Sequence, residues 1–217
     1  MDQGDIANLI YQGTKNGKDR DLNAFVNLVK NKVDINGVLN TTRNGNFYNG
    51  HAIFITPGGM AIGSSGVLNV GSLSVATPST SKYNQLTSEF DNKYVKNIDQ
   101  VSKLKQDSNA PIDVKGKILA RSGVDLRGSA VNISGGILNG VTENNVLSSK
   151  AEADALFNKL VNTNGVLNAN ATALNNGSIV LIKASDKEGS GLTVTGTVAN
   201  NANGGGFLTN AGKKRLG

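Results

Sequence analysis

Apolar and polar residues alternate over short stretches along most of the chain, and the stretches end at glycine or asparagine. The alternation covers residues 51–77, 111–141 and 173–200. Successive side chains of a β-strand point to opposite faces, so a period of two predicts strands. Glycine and asparagine tolerate the positive φ that a sharp corner needs. The pattern therefore predicts short strands joined at tight corners.

Two short sequence templates recur. The template Gly-aliphatic-Leu-Asn begins at Gly37, Gly66, Gly136 and Gly165. The template aliphatic-x-aliphatic-x-Gly-x-apolar occupies residues 33–39, 112–118, 124–130 and 192–198. Repetition of one small unit is typical of a solenoid, in which each coil buries its aliphatic side chains against its neighbours. We therefore predict an all-β solenoid over residues 33–210, with stacked asparagines that hydrogen-bond between coils.

Three stretches instead place apolar residues at helical spacing. Residues 19–32 do so from Leu22 to Val29, residues 82–105 carry a longer stripe, and residues 148–161 begin at the capping box Ser149-x-x-Glu152. We expect the two later stretches to be helical insertions in the solenoid. The 82–105 stripe fits either a partner-binding helix or a cover on the flank of the solenoid, and the cover is the preferred interpretation.

The two ends of the chain lie outside this domain. We expect residues 1–32 to form a helical or irregular N-terminal segment at the boundary of a fragment of a longer protein. Residues 211–217 are expected to form a disordered tail.

Composition narrows the class of protein. Glycine contributes 27 of the 217 residues and asparagine about thirty, whereas aromatic residues make up only 5%. Such a chain suits short strands better than helix interiors. With no cysteine and one histidine, a disulfide framework is excluded and a zinc centre is not expected, and we predict no metal and no cofactor. The net charge of +6 is scattered, so we expect no nucleic-acid partner.

One block carries a family resemblance. The segments 52–63 and 66–73, followed by Ala76-Thr77-Pro78, resemble the secretion domain of two-partner-secretion exoproteins. These are the filamentous-haemagglutinin-like adhesins and haemolysins of Gram-negative bacteria, and among them the chain resembles the large leukotoxin-like adhesins. The family turn Asn-Pro-Asn-Gly-Ile reads Thr56-Pro57-Gly58-Gly59-Met60 here. The secretion-motif residues that the resemblance implies are Pro57, Gly58, Gly59, Asn69, Val70, Gly71 and Leu73.

The resemblance implies a function as well as a fold. The fold would be a right-handed parallel β-helix without enzymatic activity. The protein would pass through the periplasm and be secreted to the bacterial cell surface through an outer-membrane transporter, whose periplasmic domains recognise it, and it would fold coil by coil outside. It would support attachment to a host-cell or extracellular-matrix receptor, or a leukotoxin or haemolysin activity, and we expect a monomer.

Two other classes remain open. Parallel β-helices also include polysaccharide-acting enzymes, and Asp34, Asp113 and Asp125 share a position between inward aliphatic residues. Stacked, they would form an acidic stripe for Ca²⁺ or a glycan, although an outward, solvated position is the preferred interpretation. His51 has no nucleophile and carboxylate at evident spacing, so a surface role is preferred. The third class is a passive structural module such as a fibre or stalk.

Overall fold

The structure is a computed structural model that describes residues 1–90, 108–161, 179–183, 191–202 and 207–210. About half of the described chain forms β-strands, which we number in chain order. Sheet 1 contains β1 (Ile6–Ile10), β6 (Val38–Arg43), β7 (Asn46–Phe47), β10 (Val67–Val70), β13 (Lys117–Ala120), β16 (Gly136–Asn139) and β19 (Thr197–Asn200). Sheet 2 contains β4 (Ala24–Leu28), β8 (His51–Ile55), β11 (Ser72–Ala76), β14 (Val124–Gly128), β17 (Ile179–Lys183) and β20 (Phe207–Asn210). Sheet 3 contains β5 (Val33–Ile35), β9 (Met60–Ile62), β12 (Ile112–Val114), β15 (Val131–Ile133) and β18 (Leu192–Val194).

The chain visits the three sheets in a fixed order. After β6 in sheet 1 it forms β8 in sheet 2 and β9 in sheet 3, then returns to sheet 1 as β10, and this cycle continues to β20. We call one visit to the three sheets a pass. Each strand pairs in parallel with its equivalents in the neighbouring passes. Among the described strands of these three sheets, only β7 pairs antiparallel, beside β6. The prediction of an all-β fold with parallel sheets is confirmed.

The apolar core lies between the three sheets. One cluster of buried aliphatic side chains takes members from every sheet, including Leu68 of sheet 1, Val75 of sheet 2 and Ile62 of sheet 3. Val114 and Leu126 are fully buried in this cluster, as the alternation predicts. The core is therefore a column that each pass extends by a few aliphatic residues.

A column of glycines marks the corner between sheets 3 and 1. Its members are Gly37, Gly66, Gly116, Gly135 and Gly196. A Cβ on Gly116 would overlap the carbonyl oxygen of Gly66, and a Cβ on Gly135 would overlap that of Gly116. These glycines do not adopt positive φ, so the predicted reason for them is wrong. They are required because successive backbones pack too closely at this corner to admit a side chain.

Strand pairing shows which copies of the templates occupy equivalent positions relative to the glycine column. The copies at 33–39, 112–118 and 192–198 align with each other, whereas 124–130 lies in sheet 2. Residues 131–137 form a further aligned copy, with Gly135 at the corner, that the sequence analysis did not identify. Gly136 consequently occupies the position of Lys117, and the unit beginning there is displaced by one residue from the unit at Gly66. The unit at Gly165 lies outside the described residues.

Two helices cover the outer faces of two sheets. Helix α1 (Thr80–Phe90) buries Tyr83 and Leu86 against Ile53 and Ile55 of sheet 2. Helix α2 (Lys150–Val161) buries Ala153 and Phe157 against sheet 1. The cover interpretation of the 82–105 stripe is thus confirmed for the part that is described. The remainder of that stripe, from residue 91, lies outside the described residues, as does the predicted tail 211–217.

The helix predicted over residues 19–32 is wrong. Residues 12–21 form an antiparallel hairpin of β2 (Gln12–Lys15) and β3 (Lys18–Asp21), whose turn contains Asn16 and Gly17 at positive φ. Strand β4 then pairs in parallel with β8. The apolar spacing in this stretch fits a helix face, but it fits a short strand equally well, and pairing with β8 decides the outcome. The N-terminal segment is therefore part of the β-fold.

A charged residue in the core column should abolish folding. Val114→Asp or Leu126→Asp places an unpaired carboxylate among aliphatic side chains, which we expect to cost several kcal/mol of unfolding free energy. Thr193→Asp, at an exposed position of β18, is the control and should change stability by about 0.5 kcal/mol or less. Thermal unfolding followed by circular dichroism measures both. A wild-type melting temperature for either core variant would contradict the inward register.

Candidate functional site

The first half of the predicted secretion motif forms the turn between β8 and β9. The N–H of Gly59 donates to the Thr56 carbonyl at 3.1 Å and closes the turn. The Thr56 hydroxyl is fully buried and donates to the carbonyls of Asn31 at 2.7 Å and Gly59 at 3.1 Å. Thr56 thus ties this turn to the preceding pass. Gly59 has a φ of +87°, and Pro57 is buried within the turn.

The second half of the motif forms the corner between β10 and β11. Val70 and Leu73 point into the core and are at most 1% exposed. Gly71 lies between them, and a Cβ there would overlap the backbone of Asn49 and Gly50 in the preceding pass. Here too, glycine is required by the close approach of two passes.

The motif residues do not converge on one exposed surface. The Thr56–Gly59 turn joins sheets 2 and 3, whereas Gly71 joins sheets 1 and 2. Of the seven residues only Gly58 is exposed. The motif residues therefore shape two separate corners of the fold rather than one exposed patch of side chains.

Asn69 belongs to a ladder of stacked asparagines, as predicted. The Asn69 Nδ2 donates to Asn40 Oδ1 at 2.7 Å, and Asn40 Nδ2 donates to Asn8 Oδ1 at 3.3 Å. Asn40 also exchanges two 3.0 Å hydrogen bonds with the backbone of Leu147. Asn40 and Asn69 are fully buried. The ladder therefore fixes the segment 143–147 across the outer face of sheet 1.

Asn139 forms a separate pair. Because its repeat is displaced by one residue, its side chain lies on the other face of the strand. There it donates to Asn200 Oδ1 at 3.1 Å and accepts from the N–H of Gly123 at 2.8 Å. Hydrogen bonding of asparagines between passes is thus confirmed, but as two ladders rather than one.

Arg121 reinforces the first ladder. The sequence patterns did not predict this role. Its guanidinium donates to Asn69 Oδ1 at 2.6 Å and to the Glu143 carbonyl at 2.5 Å, and it lies 3.8 Å from the centroid of the Phe47 ring. Burial lowers the pKa of Arg121 to about 10, and the charge of Glu143 opposes this shift. The side chain therefore remains charged at neutral pH. The sequence feature that indicates this role is an arginine directly after the largely apolar strand 117–120.

A groove of about 460 Å³ lies between the segment 143–147 and α2. Its walls include the apolar side chains of Val146, Leu147 and Leu156. Lys159 donates to Glu143 at 2.9 Å, and this hydrogen bond lowers the pKa of the Glu143 carboxyl. Glu152 accepts from the backbone and hydroxyl of Ser148, which lowers its pKa as well.

The capping box that was predicted for α2 is present in a modified form. The backbone N–H of Glu152 donates to Ser149 Oγ at 3.2 Å, as predicted. The Glu152 carboxylate accepts chiefly from Ser148, the residue before Ser149, and the Ser149 backbone also contributes to lowering the Glu152 pKa.

The three aspartates do not form one stripe. Asp34 and Asp113 lie in the same outward row of sheet 3, separated by Ala61, but Asp125 lies in sheet 2. Asp34 pairs with Lys32 at 3.0 Å, Asp113 accepts from Asn132 at 2.8 Å, and Asp125 pairs with Arg127 at 2.7 Å. Their outward position is confirmed. Within the described residues no group of three potential metal ligands comes together.

His51 lies beside a serine that spacing did not reveal. Its Nε2 is 2.8 Å from Ser74 Oγ, in the neighbouring strand of sheet 2. Asp125 is opposite Ser74 in the next strand, so it lies two strands from β8, about 9–10 Å away. A catalytic triad needs the carboxylate on the far nitrogen of the histidine. These three residues do not have that order, and Ser74 is only 7% exposed.

Comparison of the sequence with protein-family models, with characterised proteins and with solved structures finds no match. Neither helix of the described chain is long and apolar enough to cross a membrane.

Gly59 should be more sensitive to substitution than a glycine with similar φ in open space. A Cβ on Gly59 would lie 2.5 Å from the carbonyl oxygen of Pro111, whereas Gly45, with a φ of +76°, has no neighbour within 4 Å of that position. Gly45→Ala should cost about 1–2 kcal/mol through φ strain alone. Gly59→Ala adds a steric overlap and should cost roughly 2–4 kcal/mol. Equal urea midpoints for the two variants would contradict the assigned turn.

Removal of the ladder amide at position 40 should release the segment 143–147. Asn40→Leu leaves both the N–H and the carbonyl of Leu147 without partners, at a cost of about 2–4 kcal/mol. Asn8→Leu, at the exposed end of the ladder, is the control and should cost about 1 kcal/mol or less. The hydrogen-exchange rate of the Leu147 amide measures this release directly. The contact is absent if that amide exchanges equally fast in wild type and Asn40→Leu.

Proposed function

We propose that the chain is part of a secreted, non-enzymatic surface exoprotein whose right-handed parallel β-helix directs two-partner secretion through an outer-membrane barrel. The observation that carries the proposal is the placement of the motif residues. The turn at Thr56–Gly59 and the corner at Gly71 each pack against a neighbouring pass at positions where backbone packing requires glycine. Two glycines of the implied motif, Gly59 and Gly71, thus lie where backbone packing admits no side chain.

The order of the strands supports the β-helix. Strands of equivalent position pair in register through successive passes, and one core is enclosed by all three sheets. A coil that runs through sheets 1, 2 and 3 and then continues into the next coil accounts for both features. Each coil contacts chiefly its neighbours, so the fold is nearly one-dimensional.

A one-dimensional fold suits export of an unfolded chain. A pass that has emerged presents three strand edges, and the following pass gains its hydrogen bonds and apolar burial by adding to those edges. Folding can therefore follow the order in which the passes emerge, and each folded pass prevents the chain from moving back through the barrel. A chain without cysteine also forms no unwanted disulfides in an oxidising periplasm.

The contacts of the aspartates favour this function over polysaccharide cleavage. An enzyme of that class needs carboxylates that converge on one groove. Asp125 is held by Arg127 on a different sheet from Asp34 and Asp113, so the stripe that the sequence offered for catalysis or Ca²⁺ is divided. We propose attachment to a host-cell or extracellular-matrix receptor as the role of the parent protein.

Secretion with and without the barrel tests the proposal. The chain, preceded by a cleavable signal peptide, is produced in a Gram-negative host with or without the outer-membrane barrel encoded beside its parent gene. We expect the chain to reach the medium only with the barrel, and the isolated periplasmic domains of the barrel to bind it. Gly59→Val should lower release because a side chain there both strains the positive φ of the turn and overlaps the Pro111 carbonyl. Gly45→Val, at a glycine of similar φ with open space around it, is the matched control.

Misfolding alone could also lower release. The melting temperatures of both purified variants are therefore measured, and release is compared at a temperature where both are folded. Equal release with and without the barrel, together with no binding to its periplasmic domains, would contradict two-partner secretion. A passive fibre or stalk would then be the better account.

A further inference from the structure

The first strand of sheet 1 has one open edge. Strand β1 pairs only with β6, and no other described strand lies beyond it. The Asp5 carbonyl accepts from Val38 N, and Tyr11 N donates to the Thr42 carbonyl. Hydrogen-bonding groups of a parallel strand face the two sides in alternate residues, so Ala7 and Leu9 also face β6. The N–H and carbonyl groups of Ile6, Asn8 and Ile10 therefore point away from the stack.

Apolar surface is concentrated at the same edge. Ile6 and Ile10 are 51% and 55% exposed, the highest values among the exposed large hydrophobic residues of the described chain. Their side chains share the outer face of β1 with Asn8, which ends the ladder from Asn69 through Asn40. An open strand edge that carries exposed apolar side chains is a template for another strand.

The sequence of β1 is self-complementary in the antiparallel direction. It reads Ile-Ala-Asn-Leu-Ile, with Asn8 at its centre. If two copies of β1 pair antiparallel about Asn8, Asn8 faces Asn8, and Ile6 of each copy faces Ile10 of the other. Each of these pairs is of the hydrogen-bonded type, in which two residues exchange both backbone bonds. The backbone groups required are those of Ile6, Asn8 and Ile10, the same groups that point outward.

We propose that the N-terminal edge of the stack is a homotypic docking surface, on which two copies of the chain pair through antiparallel β1 strands. Sheet 1 then continues across a two-fold axis at Asn8, and the asparagine ladder runs through both copies. The interface continues the pairing that already joins β1 to β6. This proposal replaces the expectation of a monomer.

Strand β1 is held in place before any partner binds. At one end, Met1 O accepts from Asn36 N at 3.0 Å. At the other end, Tyr11 is fully buried, with its ring 5.3 Å from that of Tyr48 and 5.9 Å from that of Phe25. A strand ordered in advance loses little conformational entropy on pairing.

Single cysteines test the register, because the chain contains none. Asn8→Cys places the two sulfurs at a self-opposed position, where the Cα atoms are about 5.5 Å apart, within the range of a disulfide. Ile6→Cys alone is the matched control, since the two copies of residue 6 are four residues out of register, about 13 Å apart. We expect a disulfide dimer from Asn8→Cys and from the double variant Ile6→Cys/Ile10→Cys, and none from Ile6→Cys.

Sedimentation of the cysteine-free chain at micromolar concentrations tests association itself. We expect a monomer–dimer equilibrium whose dissociation constant rises on the order of a hundredfold in Ile6→Lys/Ile10→Lys. Val194→Lys, at a 37% exposed residue in the last described strand of sheet 3, at the opposite end of the stack, should leave it unchanged. Circular dichroism verifies that each variant is folded.

Three results would overturn the proposal. One is a monomer at every concentration, including the case in which the outward amides of β1 are protected from exchange by another segment of the same chain. The second is a dimer that Ile6→Lys/Ile10→Lys does not weaken. The third is cross-linking of Ile6→Cys as efficient as that of Asn8→Cys.

Discussion

The close approach of successive passes at the corner between sheets 3 and 1 is the constraint on which the rest of the structure depends. At this corner the residue after each glycine from Gly66 onward donates its N–H to the carbonyl of the glycine one pass earlier, as in Lys117 to Gly66 at 3.0 Å and Gly136 to Gly116 at 2.9 Å. No side chain fits between these backbones. The glycine column therefore sets both the spacing of the passes and their register, and register decides which residues face the core.

The outer faces are closed by elements that the passes themselves do not contain. Phe157 of α2 lies against Gly136, where any Cβ would overlap its ring, and Lys117 Nζ lies 5.0 Å from the centroid of that ring. Asn40, Asn69 and Arg121 hold the connection to α2 by hydrogen bonds to its backbone. Loss of such buried hydrogen bonds is costly, so these side chains favour one position for the covering segment. The outer face of sheet 3 is covered by neither helix, and its side chains are mostly polar and partly exposed.

The sequence predicted the all-β class and its repeated short strands because the repeats follow directly from this constraint. It did not predict register, because Gly135-Gly136 offers two candidate corner residues and only the pairing of β13 with β16 distinguishes them. Nor did it predict which sheet a template copy occupies, so Asp125 of sheet 2 was grouped with Asp34 and Asp113 of sheet 3. The helix over 19–32 was wrong since a short apolar run fits either period, although Asn16-Gly17 was an available hairpin signal. The role of Arg121 depends on residues more than twenty positions away, which periodicity does not reveal.

A cross-link between passes that are distant in sequence is the most direct measurement of the central claim, the in-register stacking of passes. Ala61 and Asp113 face each other in β9 and β12, across the insertion that contains α1. Paired Cα atoms of neighbouring strands are about 4.8 Å apart, so Ala61→Cys/Asp113→Cys should form an intramolecular disulfide in high yield. Ala61→Cys/Lys115→Cys, displaced by two residues, should not. Equal yields for the two pairs, or preferential formation of the displaced one, would contradict the account.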